Sequence, residues 1–126
     1  MTETRRRLGA WAEELAARNL SQEGWTILAR NHRTRYGEID IVASDRHTLV
    51  FVEVKSGRLG SVAGPERPVF AVDRQKQRRL RRLAGAFLAE RPPLPRFSEI
   101  RFDVIGVTVG PGEEEVAGYE HLRAAF

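Results

Sequence analysis

Gly37-Glu38-Ile39-Asp40-Ile41-Val42-Ala43, the polar link Ser44-Asp45-Arg46-His47, and Thr48-Leu49-Val50-Phe51-Val52-Glu53-Val54-Lys55 decide how this chain folds. Both flanks are β-branched runs and the link is made of turn formers, so the stretch reads as a β-hairpin. Side chains alternate faces along a strand. Leu49, Phe51, Glu53 and Lys55 therefore share one face of the second strand, while Val50, Val52 and Val54 turn to a core on the other. On the first strand Glu38, Asp40 and Val42 share a face. Closing the hairpin symmetrically about Arg46-His47 sets Asp40 opposite Glu53 and Glu38 opposite Lys55.

Upstream, Leu8, Trp11, Leu15 and Leu20 form an apolar stripe at helical spacing with alanines between, which predicts a helix over 8–22 stopped near Gly24. Trp25 to Arg30 reads as a short strand, and Asn31 to Tyr36 as a basic loop. Downstream, residues 56–71 hold three glycines and two prolines and read as a loop. Asp73 stands where an N-cap belongs, ahead of Leu80, Leu83, Ala84, Phe87 and Leu88 at i, i+3, i+4, i+7 and i+8. Pro92-Pro93 and Pro95 end that helix near Glu90. Ile100 to Val109 alternates as a further strand. The glycine- and glutamate-rich remainder ends in a segment, Tyr119 to Phe126, with no decisive pattern. The order α-β-β-β-α-β makes the second helix a crossover between parallel strands. The fold class is α/β, a small mixed sheet flanked by helices, with one domain over 1–109 and an acidic tail over 110–126.

A chain of 126 residues is one domain's worth and long enough to hold a core unaided. It contains no cysteine, which excludes disulfides, thiolate metal sites and a cysteine nucleophile. No apolar run approaches the roughly 20 residues that span a bilayer, and Glu13, Glu14 and Arg18 interrupt any signal-like segment after Arg5-Arg6-Arg7. A cytoplasmic protein without a membrane partner is expected. Only Lys55 and Lys76 among the 21 basic residues are lysines. Residues 56–101 carry +7 (eleven basic, four acidic) and residues 102–126 carry −4 (one basic, five acidic). A basic middle beside an acidic tail suits a polyanionic partner such as nucleic acid, although an arginine-rich composition alone would produce the same balance.

Directly opposed residues on paired strands have Cβ atoms about 4.5–5.5 Å apart, and like charges there repel. Asp40 and Glu53 so placed need a cation between them. Mg²⁺, which takes one or two carboxylates together with water and substrate phosphate, suits the pair, with Mn²⁺ as its substitute. Lys55, two residues from Glu53 on the same face, would stand beside the metal and its water. The same residues would also serve as a solvated strand face, Glu and Lys alternating with buried valines. His32, His47 and His121 share no metal-ligand spacing, and neither a glycine-rich phosphate loop nor a serine elbow is present.

Gly37-Glu38-Ile39-Asp40 followed thirteen residues later by Glu53-Val54-Lys55, within α-β-β-β-α-β order, resembles the PD-(D/E)xK nuclease superfamily. The chain more closely resembles the YraN-like family of bacterial endonuclease-like proteins. The matching positions include Gly9, Ala12-Glu13, Ala16, Leu20, Asn31, Arg33, Lys76 and Arg101-Phe102-Asp103. The resemblance implies a restriction-endonuclease-like core similar to that of Holliday-junction resolvases. It implies Mg²⁺ on Asp40, Glu53 and the carbonyl of Val54, with Glu13 from the first helix as a further acid. Lys55 would orient or activate the attacking water. Ile39 replaces the proline of the superfamily pattern, and Gly57 stands where close relatives carry arginine, with Arg58 next to it.

Arg33 and Arg35 precede the Gly37 turn and are the expected close phosphate contacts. Arg58 and the basic helix face of Arg74, Lys76, Arg78, Arg79, Arg81 and Arg82 are the expected outer ones. Together these features describe a metal-dependent endonuclease acting on DNA, branched DNA included. The alternatives are a nucleic-acid-binding module that kept the fold without the chemistry, and a protein whose basic helix docks an acidic partner. A symmetric homodimer would be needed to cut both strands of a junction.

Overall fold

The computed structural model describes residues 3–59, 72–111 and 115–126. Among these described residues seven elements follow in chain order: α1 (Glu3–Gln22), β1 (Thr26–Thr34), β2 (Gly37–Asp45), β3 (Thr48–Arg58), α2 (Arg74–Ala89), β4 (Glu99–Val109) and β5 (Val116–Leu122). The five strands form one sheet in the order β1-β2-β3-β4-β5. Only the β3–β4 pair is parallel; the others are antiparallel. The expected mixed sheet with an α2 crossover is therefore present. β5 is an addition: residues 110–126, read as an acidic tail, carry a strand that pairs with β4 from Val104↔Leu122 to Val109↔Val116.

β3 lies at the centre of the sheet and is buried on both faces. Val50 and Val52 pack under α1 with Ile41, Ala43, Ile105 and Val107, while Leu49 and Phe51 pack under α2 with Val42, Leu80, Leu83 and Phe87. The helices thus cover opposite faces of the sheet, each with its own apolar cluster. On α1 the fully buried residues are Ala12, Ala16, Ala17 and Leu20, whereas Leu8, Trp11 and Leu15 are only partly covered. Of the large residues of the stripe only Leu20 enters the contact fully; Leu8, Trp11 and Leu15 flank it and the alanines complete it, because small side chains let the helix approach the sheet closely. α2 begins as its sequence predicts. The Asp73 side chain accepts a hydrogen bond from the Lys76 backbone N–H at 3.0 Å, and the helix ends at Glu90.

Two strands run further than expected. β1 continues through Asn31 to Thr34, the segment read as a basic loop, and β3 continues past Lys55 to Arg58. The remainder of the loop read over 56–71 lies, from residue 60 onward, outside the described residues. Among the described residues no helix is long and apolar enough to cross a membrane.

The sheet end away from the β1–β2 turn is held by a buried ionic cluster. Asp103 is fully buried, and Arg101 donates to both of its oxygens at 2.9 and 3.0 Å. His121 Nε2 lies 2.7 Å from the same carboxylate, and the Ala124 backbone N–H donates to it at 3.0 Å. Burial alone would push that carboxyl up, but these hydrogen bonds outweigh it and hold it below the usual carboxylate range. The contacts tie β5 and the residues after it to β4, and Phe126 stacks on Phe102 with ring centroids 5.3 Å apart.

Candidate functional site

The β2–β3 ladder has the expected register, from Asp45↔Thr48 to Ile41↔Val52, and there the paired positions end. Asp40, the next residue outward, uses its side chain instead: its carboxylate accepts the Val54 backbone N–H at 2.8 Å. Strict alternation also fails at this point. Ile39 joins the cluster under α2 while Ile41 joins the one under α1, so Glu38, Asp40 and Val42 do not share a simple face. The deviation coincides with Asn31, which lies between the β1–β2 pairs Arg30↔Ile41 and His32↔Ile39 and has φ 48°. Asparagine is among the few residues that adopt this left-handed conformation readily.

The acids gather around Asp40. Glu53 is mostly covered and has its carboxyl pushed up to about 8, first by burial and then by the Asp40 charge within hydrogen-bonding reach. Glu13, reaching over from α1, is raised to about 7 by burial and by the charges of Asp40 and Glu38. The Asn31 amide, oriented to satisfy its neighbours, donates to both Glu13 and Glu38. Lys55 Nζ lies 4.0 Å from Glu53 Oε1. Asp40, Glu53, Glu13, Lys55 and the Val54 backbone are thus brought together as expected. Glu38 turns instead toward β1, with Arg33 Nη2 at 3.5 Å.

A cleft of about 1140 Å³ opens beside this cluster, lined by Glu13, Asn31, Glu38, Val54, Lys55 and Arg58 among others, while Asp40 and Glu53 lie behind its lining. Arg5 and Arg6 of α1 and Arg30 of β1 give it a basic wall that was not anticipated. Among the described residues no group of three or more His, Asp and Glu side chains is arranged to hold a metal ion by itself. The donor chemistry nonetheless fits a hard divalent cation. Two crowded carboxylates repel one another without a counter-charge, and Mg²⁺ requires only one or two such ligands, taking the rest from water and phosphate.

The expected phosphate contacts divide. Arg33 is exposed at the end of β1, and Arg35 stands on the β1–β2 turn with its guanidinium 5.1 Å from the Tyr36 ring centre. Arg58 is exposed at the end of β3 and lines the cleft. Arg74, Lys76 and Arg78 are exposed on the first turns of α2. Arg81 leaves the basic face: its guanidinium lies 4.7 Å from the Phe102 ring centre, on the far side of α2. Arg79 was only one of six basic residues on the helix, yet it is the one that reaches the site. Its charge acts on Glu53, and its Nη2 lies 3.0 Å from where a Cβ on Gly37 would be. Gly37, with φ 137°, permits that approach. The glycine immediately before the Glu38-Ile39-Asp40 run was the available signal for such a close contact.

Residues 12–107 match the model of the Uncharacterised protein family UPF0102. The chain belongs to the UPF0102 family. It is 47% identical over 119 residues to a UPF0102 protein of Nocardia farcinica, covering 94% of this chain and 88% of that one. A UPF0102 protein of Rhodococcus opacus is 44% identical over 119 residues, covering 94% and 95%. One from Mycobacterium tuberculosis is 50% identical over 112 residues, covering 87% and 84%. This membership bears out the YraN-like family read from the motifs. The matched span of this UPF0102 chain contains every acid of the cleft together with Lys55, and ends before β5.

Proposed function

We propose that this UPF0102 protein is a metal-dependent endonuclease that hydrolyses DNA phosphodiester bonds, branched DNA included, in the manner of the PD-(D/E)xK nucleases. The observation that carries the reading is the Asp40 carboxylate bound to the Val54 N–H and crowded against Glu53, with Lys55 4.0 Å from that glutamate. Asp40, Glu53 and the Val54 carbonyl would hold Mg²⁺, with Glu13 on its outer side. Bound there, the ion would supply charge neutralisation at the scissile phosphate and a water of lowered pKa. The Val54 N–H fixes one oxygen of Asp40, and the same carboxylate is within hydrogen-bonding reach of Glu53, so the two acids present their oxygens together. Lys55 provides a compact cation with three donors, suited to orienting the attacking water or stabilising negative charge on the phosphate. Arg58, Arg30 and Arg79 surround the acids with positive charge, so a polyanion is drawn to a centre that would otherwise repel it.

A non-catalytic nucleic-acid-binding module is the second reading, favoured by the lack of a three-ligand metal group among the described residues. Incubation of the protein with end-labelled linear, flapped and four-way-junction DNA in Mg²⁺, Mn²⁺ or chelator separates the two. Products that depend on the metal support the endonuclease. Stable binding with no product under any condition supports the module.

A further inference from the structure

Tyr36 is a large side chain left 45% exposed, on the turn between β1 and β2. Thr34 holds that turn: its hydroxyl donates to the Gly37 carbonyl at 2.9 Å and accepts the Tyr36 N–H at 3.1 Å. The ring is therefore presented from a braced backbone. Two guanidiniums lie over it, Arg35 at 5.1 Å and Arg82 at 5.6 Å from its centre.

Beside Tyr36 runs a second groove, of about 640 Å³, lined by Lys76, Arg78, Arg79 and Arg82 with one acid, Asp73. The Asp73 carboxylate is already committed to capping α2 through the Lys76 N–H. The groove is thus cationic along one side and aromatic at its edge. Arg79 connects it to the acidic centre, because the same side chain lies against Gly37 and within electrostatic range of Glu53.

Resting on the endonuclease reading above, we infer that Tyr36 is a stacking platform for an unpaired nucleobase, whose flanking phosphates lie along Lys76, Arg78 and Arg82. A strand so held runs from the second groove past Arg79 to Asp40, Glu53 and Lys55. Cations alone would serve any polyanion, including intact duplex. An exposed aromatic face among them serves a strand whose bases are accessible, since stacking on a ring requires a base out of its own stack. Arg35 is exposed and yields its place over the ring. An exposed cation–ring contact is worth only a few-fold in equilibrium, whereas base stacking on an aromatic side chain is worth about tenfold or more. The platform selects frayed, flapped or junction DNA over paired duplex, without sequence preference, because every base has a flat face.

The test is a binding titration with Ca²⁺ in place of Mg²⁺, so that the acids keep a divalent counter-charge and no cleavage intervenes. The probes are a fully paired duplex and the same duplex carrying one unpaired 2-aminopurine, against wild type, Tyr36→Phe and Tyr36→Ala. Wild type and Tyr36→Phe should bind the unpaired probe about tenfold more tightly than the paired one and quench its fluorescence. Tyr36→Ala should lose the preference and the quenching while binding the paired duplex as wild type does. Equal affinity of wild type for both probes, or a preference that survives Tyr36→Ala, overturns the platform and leaves the hydrolytic reading standing. A wild type that binds neither probe overturns both.

Discussion

Gly37→Ala tests how the β1–β2 turn builds the site. Gly37 has φ 137°, outside the regions open to a residue with a Cβ. Holding alanine there costs about 1–3 kcal/mol. The added methyl would meet Arg79 Nη2 at 3.0 Å and Leu83 Cδ2 at 3.5 Å. The second contact is ordinary, and the first is with the tip of a flexible side chain that can swing aside, so sterics add little. Backbone strain dominates. With an unfolding entropy of about 2.1 cal/mol/K per residue, a chain of 126 residues loses about 4 °C of Tm per kcal/mol. Gly37→Ala should therefore melt about 4–11 °C below wild type by circular dichroism. Gly85→Ala is the control. Gly85 lies within α2, and a Cβ there meets nothing within 4 Å. That substitution should raise Tm, since alanine favours a helix by up to about 1 kcal/mol over glycine. A Gly37→Ala melting point within error of wild type, alongside a stabilised Gly85→Ala, would refute the account of the turn.

Three further outcomes are expected. Asp103→Ala leaves Arg101 without its buried partner and should cost about 3–5 kcal/mol by urea unfolding. In wild type the native carboxyl is held below its unfolded value, so its stabilisation is complete above about pH 4 and fades as pH falls through the native pKa. Unfolding free energies measured from pH 6 downward should show that loss, and Asp103→Ala should show less of it. Millimolar Mg²⁺ or Mn²⁺ should raise the Tm of wild type by mass action and leave that of Asp40→Asn unchanged, although asparagine keeps an oxygen for the Val54 N–H. Replacing Lys76, Arg78 and Arg82 together with alanine should weaken duplex binding uniformly across sequences and flatten the log–log salt slope by up to about 3 units.

The central hairpin was legible because its signals are local and repeated. Alternating valines marked β3, turn formers marked the link, and symmetric closure put Asp40 and Glu53 together. Asp73 and the leucine spacing marked α2 for the same reason. What escaped depended on partners distant in the chain. β5 has glycine and glutamate in place of a β-branched run, and its stability comes from β4 and from His121 on Asp103. Asn31 was read into a loop, yet its left-handed conformation lets β1 continue while the facing strand changes its alternation at Asp40. No periodicity distinguishes Arg79 from its neighbours on α2. Gly37 does so, by leaving room for one of them. Arg81 looked equivalent until the rings of Phe102 and Phe126 claimed it.

The central claim is that Asp40, Glu53 and Lys55 form a hydrolytic centre. Its most direct measurement is single-turnover cleavage of a four-way-junction DNA in Mg²⁺ by wild type and Lys55→Ala, beside a binding titration of each in Ca²⁺. Lys55 acts beside the acids and is not one of the ligands, so Lys55→Ala should remain folded and bind DNA only modestly more weakly. Its cleavage rate should fall by about a hundredfold or more, the effect of deleting one preorganised donor in the transition state. Equal cleavage rates for the two proteins, with binding intact in both, would contradict the account and put the chemistry elsewhere.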